Sequence, residues 1–392
     1  MTMTNQSALW NAFVNGVVPE KIDINWLFGR EEEMKLLKQC LEIMEFKKIS
    51  LFKLVEGDYG FGKTMLLSAF KTEALSKGFV VSRLTLGTHN NFSKPEIVYK
   101  DIMANMTIER NGEPVDFESI FKIWLRELKR HNSFEEVSKQ IASLIEVLKD
   151  YNATFGAVLY SYIRGIIKAD NEIAQLASAW IVGDYNMSQE QKKRIGVRGN
   201  IDRYNAFDIL QGFSKMLELL GYKGFVIIVD ELEYIMRERQ DIRNKSYTTL
   251  RHLIDEIGMN RWNNTFFIGA FTPEMMLDAE KGFKSYEALF QRITSGFDDK
   301  SKVKNSLDLT IIRLDELSKD SLIQLANKLI ELSGAKLDTN LMGKLALVEY
   351  AKREMTARRK TSIREFIKIV IHVIQVAQIN PEMPIFNVRA SE

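Results

Sequence analysis

The chain has 392 residues, of which 45% are hydrophobic and 27% charged, and its formal net charge is +2. This balance is typical of a globular protein, excludes a collagen-like or disordered polymer, and gives no overall sign of a nucleic-acid binder. One cysteine excludes an intrachain disulfide, and four scattered histidines show no metal-ligand spacing. No apolar run reaches the ~20 residues of a membrane span, and no signal peptide opens the sequence, so we expect a cytoplasmic protein.

The first predicted elements alternate between helix and strand. Residues 1–30 are an N-terminal arm, and apolar residues at helical spacing predict a helix over 31–44. The run ISLFKLVEG predicts a strand that ends in glycines, residues 64–76 predict a helix, and GFVVSRLTL at 78–86 predicts a second strand. The length of the chain favours two domains, or one large domain with an insertion.

The middle of the chain is mostly amphipathic and helix-like. We expect a helical insertion at about 100–200, followed by strands at 225–229, 265–271 and 307–314. Five strands that alternate with helices predict an α/β fold with a mostly parallel sheet covered on both faces. All of the chain after residue 317 is predicted to be helical, so we place a boundary near 314–318, between a core at 31–314 and a helical lid at 315–392.

The pattern Gly57-x-x-x-x-Gly62-Lys63-Thr64 matches a P-loop and lies between a predicted strand and a predicted helix. Glycines let the backbone turn its N–H groups toward phosphate oxygens, and the positive end of the following helix faces the same anion. Lys63 is expected to reach the β- and γ-phosphates, and Thr64 to hold Mg²⁺ through its hydroxyl. The alternative, a glycine-rich turn without a ligand, does not account for this context.

An apolar strand at 225–229 ends in two carboxylates, Asp230 and Glu231. Asp230 is expected to bind Mg²⁺, directly or through water, and Glu231 to orient and deprotonate the attacking water. The alternative is an ordinary helix N-terminus, where acidic side chains are favoured. Glu233 continues the acidic run, and we expect its side chain to lie in solvent or behind the metal ligands.

Three further polar residues are candidates for contacts with the γ-phosphate. Thr272 follows the strand at 265–271, although it also fits a Thr-Pro turn. Arg292 precedes the fifth strand and is a candidate for an arginine that reaches the nucleotide of a neighbouring subunit. Arg364 in the C-terminal helices is a candidate for a contact in cis. For both arginines the alternative is a solvated helix residue.

A basic run stands out in this near-neutral chain and is a candidate contact for a DNA backbone. A solvated helix end and loop is the alternative interpretation. The run comprises Lys352, Arg353, Arg358, Arg359 and Lys360.

The order of these motifs resembles a known family. Phe28-Gly29-Arg30-Glu31 is similar to the N-terminal box of AAA+ and STAND ATPases, which lies near the adenine. The blocks GDYGFGKTMLL, GYKGFVIIVDELEYI, KSYTTLRHLID, GAFTPEM and SYEALFQRI, together with the early NGVVP and the later IGVRGNI, resemble the P-loop ATP-binding family of BREX bacteriophage-defence systems. The similarity covers most of residues 11–300 and, more weakly, the C-terminal helices.

The resemblance implies an AAA+-type ATPase core with a helical lid and an ATP–Mg²⁺ site. It places the ATP site on the P-loop together with Asp230 and Glu231, and it adds support for Arg292 and Arg364. With the motifs above, the expected metal ligands are Thr64 and Asp230, and the expected catalytic residues are Lys63, Glu231, Thr272 and Arg292. In the lid pattern Ile363 takes the position of a usual proline, which weakens the assignment of Arg364. The expected nucleotide contacts are Gly29, Arg30, Gly57, Asp58, Tyr59, Gly60, Phe61, Gly62, Lys63, Thr64, Met65 and Arg364.

The expected function is therefore an ATPase that changes conformation to remodel or recruit a partner, with DNA and a helicase or other defence protein as candidates. An arginine acting in trans implies a homo-oligomer. Two alternatives remain: a nucleotide-gated scaffold with very slow turnover, and a DNA-binding adaptor. A retained Glu231 favours hydrolysis without fixing its rate.

Overall fold

The computed structural model of the protein describes residues 3–19, 22–87, 92–110, 113–115, 117–184, 186–294, 305–334, 341–358 and 362–379. Short 3₁₀ turns at Ile24–Trp26, Leu232–Arg237 and Phe283–Ser285 connect longer elements. The strands in these ranges are β1 (Leu51–Glu56), β2 (Val80–Thr85), β3 (Met106–Arg110), β4 (Glu113–Val115), β5 (Phe225–Asp230), β6 (Thr265–Phe271) and β7 (Ile311–Arg313).

The α-helices divide into three groups along the chain. The first group is α1 (Met3–Val14), α2 (Glu31–Lys47) and α3 (Lys63–Ser76). Between β2 and β5 lie α4 (Pro95–Ala104), α5 (Phe117–His131), α6 (Phe134–Tyr151), α7 (Ala153–Lys168), α8 (Asn171–Ile181), α9 (Gln189–Arg194) and α10 (Ala206–Leu219). The last group is α11 (Gln240–Gly258), α12 (Pro273–Leu277), α13 (Glu287–Thr294), α14 (Lys319–Ser333), α15 (Leu341–Ala357) and α16 (Ile363–Ile379). None of these helices is long and apolar enough to cross a membrane.

The strands form one sheet in the order β4-β3-β2-β5-β6-β1-β7. The five strands from β2 to β7 in this order pair in parallel, which confirms the predicted parallel five-stranded sheet. The hairpin of β3 and β4 extends it antiparallel to β2 and was not predicted, because its short strands lie inside a stretch whose wider pattern is helical. The fifth parallel strand is also shorter than predicted, with only three residues at the edge beside β1.

The sheet is covered on both faces, as its continuous apolar strands predict. Every residue of β5 and β6 is buried. Ile227 and Val229 belong to the apolar cluster that includes the helices of the insertion, whereas Val226 and Ile228 belong to the cluster with α2, α3 and the C-terminal helices. Alternate side chains of β5 therefore pack into the two cores on opposite faces of the sheet. Because β1, β5 and β6 are parallel neighbours, their carboxyl ends lie together at one edge.

The C-terminal helices α14, α15 and α16 pack against one another, and α1 packs against α14 and α16. Leu9 and Phe13 of α1 share an apolar cluster with Phe366 and Val370 of α16. The N-terminal arm is thus packed on the predicted lid. The division of the chain into an arm, a core and a lid stays a prediction.

Candidate functional site

The P-loop follows β1 and has the backbone that its glycines predict. The Gly57 N–H donates to the carbonyl of Phe271 at 3.2 Å, which ties the loop to the end of β6. Gly60 has φ +80° and Gly62 has φ +91°, both in the left-handed region that favours glycine. Helix α3 begins directly after Gly62, at Lys63, so its N-terminal N–H groups face the loop.

The Lys63 side chain lies inside this loop and is only 7% exposed. Its ammonium donates to the carbonyls of Gly57 at 2.6 Å and Asp58 at 3.2 Å, and it lies 5.4 Å from the centre of the Tyr59 ring. Burial lowers the pKa of Lys63, and the nearby charges of Glu233 and Asp230 oppose this shift. The ammonium is therefore held beneath the loop by the loop's own carbonyl groups.

Asp230 ends β5 and is 2% exposed. One carboxylate oxygen accepts the backbone N–H of Glu231 at 3.1 Å, and the other accepts Nη2 of Arg83 at 3.1 Å. Sequence reasoning missed Arg83, because a single arginine in a strand carries no motif. The pairing depends on the parallel alignment of β2 with β5.

The two glutamates that follow Asp230 lie in different environments. Glu231 is exposed and has φ +59°, a left-handed conformation that a non-glycine residue rarely adopts. Glu233 is 7% exposed, and its Oε2 has no hydrogen-bond partner among the described residues. Of the two expected positions of Glu233, the one in solvent is wrong, because the turn after β5 buries this side chain near Lys63. A position behind the metal ligands stays a prediction.

Burial raises the pKa of Glu233 above its usual 4.5, although the charge of Lys63 lowers it. Since this pKa is higher in the folded state than in the unfolded chain, the protonated form stabilises the fold, and this contribution is lost as the pH rises through the raised value. We therefore expect Glu233→Gln, which cannot ionise, to match the wild type in melting temperature near pH 4 and to exceed it increasingly above. Thermal unfolding across pH 4 to 8, with Glu238→Gln as the control, measures this. If the difference in melting temperature between the variant and the wild type shrinks as the pH rises, the raised pKa of Glu233 is contradicted.

A cavity of about 160 Å³ lies between the P-loop, the end of β5 and the C-terminal helices. It brings together Lys63, Thr64, Asp230 and Glu231, which lie far apart in the sequence. Residues of the N-terminal arm also line it and were not predicted as site residues, although the NGVVP block was a signal. The lining is Phe13, Gly16, Val17, Val18, Tyr59, Gly60, Gly62, Lys63, Thr64, Met65, Asp230, Glu231, Glu233, Ile363, Arg364 and Ile367.

The start of α16 contacts the P-loop directly. The N–H of Ile363 donates to the carbonyl of Gly60 at 2.9 Å. A Cβ atom at Gly60 would lie 2.2 Å from the Cβ of Ser362, so glycine is required here by a close approach as well as by its φ. Arg364, one residue further, is exposed and lines the cavity. The predicted lid arginine thus lines the same cavity as Asp230 and Glu231.

Thr272 and Arg292 lie outside the lining of this cavity. Thr272 follows β6 and is buried, and its hydroxyl has no hydrogen-bond partner among the described residues. Arg292 on α13 donates from Nε to Asp255 of α11 at 2.7 Å and from Nη1 to the carbonyl of Ala288. Within one chain, Arg292 is therefore bound to a carboxylate of its own core.

Arg30 lies beside the P-loop, whereas Gly29 lies close to Ser321 of α14. The buried Arg30 guanidinium donates to the carbonyls of Phe61 and Asp315, which links the loop to the segment after β7. Arg30 also lines a small apolar cavity together with Phe61, Gly62 and Met65. The structure thus places Arg30 beside the loop, where its guanidinium donates to a loop carbonyl.

The basic run on α15 is partly neutralised by its neighbours. Arg358 forms ion pairs with Glu354 at 3.5 Å and Glu365 at 3.3 Å. Arg359 and Lys360 lie outside the described residues. The pairing lowers the charge that Arg358 offers to a phosphate backbone, so DNA contact at this run stays a prediction.

Magnesium fits the oxygen donors of the cavity between the P-loop and the end of β5. Mg²⁺ is usually bound by one or two carboxylates together with substrate phosphates and water, and not by a protein cage. No group of three or more metal-ligating side chains occurs in the described part of the chain. Asp230 and Thr64 line the same cavity. They also share a partner, because Nη2 of Arg83 donates to the Asp230 carboxylate and lies 3.4 Å from the Thr64 carbonyl. This donor set suits a metal that arrives with a nucleotide.

The fold and the site define a P-loop α/β protein with a mostly parallel sheet. The chain belongs to the family of BREX system ATP-binding proteins BrxC/D, which matches residues 2–390. No curated protein matches the sequence.

The solved structures that are similar to the chain include two proteins of Aeropyrum pernix. The ORC2 protein of Aeropyrum pernix in ADPNP–ADP complexes is 13% identical, with a TM-score of 0.39, and the match covers 93% of this chain and 71% of that protein. The ORC1 protein of the same organism in complex with DNA is 10% identical, with a TM-score of 0.40, and the match covers 94% and 64%.

Proposed function

We propose that this protein binds ATP with Mg²⁺ and hydrolyses it as a conformational switch in BREX phage defence. One observation carries the proposal: Lys63 and Thr64 share a cavity with Asp230 and Glu231. Each pair alone has a structural explanation, whereas their meeting at the carboxyl edge of a parallel sheet is the arrangement that phosphoryl transfer requires.

The P-loop would hold the phosphates. Its left-handed glycines and the N-terminus of α3 supply N–H donors and a positive dipole end. Lys63 donates to two neutral carbonyls in the structure, and phosphate oxygens accept stronger, charge-assisted hydrogen bonds from an ammonium. We therefore expect Lys63 to exchange these partners for the β- and γ-phosphates.

Thr64 and Asp230 would hold Mg²⁺. When bound, the metal would supply positive charge that neutralises the charge developing on the phosphate oxygens. Glu231 is the candidate general base, because its exposed carboxylate lines the cavity where an attacking water would enter. Thr272 follows β6, the strand between β5 and β1, and its buried hydroxyl, which has no partner among the described residues, would orient a γ-phosphate or that water.

The contact between α16 and the P-loop supports a switch. Because Ile363 and Ser362 touch Gly60, a change in loop conformation on phosphate binding would act directly on the start of α16. Arg364 on the same turn lines the cavity and would contact the γ-phosphate in only one arrangement of the helices. Such a differential contact is what lets ATP favour one state over another.

We also propose that the protein forms a homo-oligomer and acts on a partner. Arg292 would act in trans in a homo-oligomer, leaving Asp255 for the nucleotide of a neighbouring copy. The output would be remodelling or recruitment of a defence partner on DNA, as family membership suggests.

The decisive test is ATP binding and phosphate release by the purified chain, with Mg²⁺ and with EDTA. We expect binding in both conditions and hydrolysis only with the metal. The absence of ATP binding under both conditions would overturn the proposal, and binding without turnover, with or without DNA, would reduce the protein to a nucleotide-gated scaffold.

A further inference from the structure

Arg83 is a charged side chain on a sheet face that is largely apolar. It lies on β2, and the neighbouring residues of that face, Val81, Val226 and Ile228, are fully buried. The Arg83 side chain is only 19% exposed. Removing a guanidinium from water to this extent is costly unless it is paired and hydrogen-bonded. The position of its partners therefore shows what the arginine contributes.

The guanidinium joins the two parts of the predicted metal site. Nη2 donates to Oδ2 of Asp230 at 3.1 Å and lies 3.4 Å from the carbonyl of Thr64. Nη1 donates to the hydroxyl of Ser68, one turn further along α3. A planar fork of donors suits such bridging, which a lysine ammonium cannot reproduce in the same geometry. Arg83 thus connects the first turn of α3 to the end of β5.

We propose that Arg83 is a positioning residue that fixes the Asp230 carboxylate relative to Thr64 for the metal ion accompanying ATP. The proposal rests on the proposed function, because it concerns the same site. Arg83 does not line the cavity, so it acts through Asp230 and α3, without touching the nucleotide.

The hydrogen bonds to the Asp230 carboxylate leave acceptor capacity on both of its oxygens. Oδ2 accepts from Arg83 and Oδ1 accepts from the Glu231 N–H, and each oxygen retains further acceptor capacity for a metal ion or its water. Two opposite donors fix the plane of the carboxylate. Partners of metal ligands in other proteins typically contribute about 10–100-fold to metal affinity in this way.

The test is the affinity for a fluorescent, non-hydrolysable ATP analogue, measured in excess Mg²⁺ and in EDTA. The dissociation constant in EDTA divided by that in Mg²⁺ reports how much the metal strengthens binding. We expect Arg83→Gln to lower this ratio by about tenfold or more and to leave the affinity in EDTA nearly unchanged. Arg83→Lys keeps the charge but loses the fork, so we expect a partial loss.

Arg313→Gln is the matched control. It breaks another arginine–carboxylate pair of the same sheet, between Arg313 Nε and Glu56 at 2.9 Å, and should leave the ratio unchanged. If Arg83→Gln does not fold, Ser68→Ala removes one anchor of the guanidinium and should lower the ratio by a smaller factor.

Several outcomes would overturn the inference. An unchanged ratio in the folded Arg83 variants would show that the arginine has no role at the metal, and a parallel loss in Mg²⁺ and EDTA would show a structural role only. A higher ratio would show that Arg83 competes with the metal for Asp230. Each of these leaves the proposed function intact, whereas a wild type that does not bind the analogue contradicts that function itself.

Discussion

Replacement of Lys63 by methionine is expected to lower ATP affinity or turnover by about 10²–10³-fold, the range typical of losing one preorganised donor at a site of developing charge. Methionine retains a flexible apolar stem in the buried position and removes the ammonium that donates to Gly57 and Asp58. We expect the loop glycines and the start of α3 to keep their conformation, so that the loss falls mainly on phosphate binding. Titration with a fluorescent ATP analogue and a phosphate-release assay measure the two quantities.

Lys77→Ala is the control for this experiment. Lys77 lies just beyond the other end of α3 and forms surface ion pairs with Glu42 and Glu73. Exposed pairs of this kind contribute little to stability, about 0–1 kcal/mol. Wild-type nucleotide affinity and turnover in the Lys63 variant would contradict the assignment of the P-loop, whatever the control shows.

Glu231→Gln is expected to separate binding from chemistry. Glutamine keeps the shape of the side chain but cannot take a proton from water, and loss of a general base typically costs about 10²–10⁴-fold in rate. Because Glu231 is exposed and makes no side-chain cap, we expect the fold and the ATP affinity to be retained. Single-turnover hydrolysis tests the loss of rate, and equilibrium binding on the same preparation tests the retained ATP affinity.

Glu238→Gln, a few residues further along the chain, is the matched control. A rate that is equal in the wild type, the control and the Glu231 variant would show that Glu231 is not the base. If that common rate is also very slow, the scaffold interpretation is favoured over a cycling ATPase.

The sequence alone identified the parts of the site that are local. The P-loop and the acidic end of β5 were recognisable because the residues of each motif are adjacent in the chain. Phosphate binding requires glycines, a lysine and a helix N-terminus in one short segment, and residues 57–64 supply all of them. The apolar runs of β5 and β6 likewise predicted buried parallel strands, which the structure confirms.

Only the tertiary structure decided how distant segments complete the site. Arg83 reaches Asp230 because β2 pairs with β5, Glu233 is buried by the turn that follows β5, and Ile363 meets Gly60 because α16 packs over the loop. The β3–β4 hairpin depends on the free edge of β2 in the same way. These contacts join segments far apart in the chain, and local periodicity and spacing do not determine which of them pack together. The sequence therefore determined the phosphate-binding chemistry, and tertiary packing determined which side chains support and enclose it.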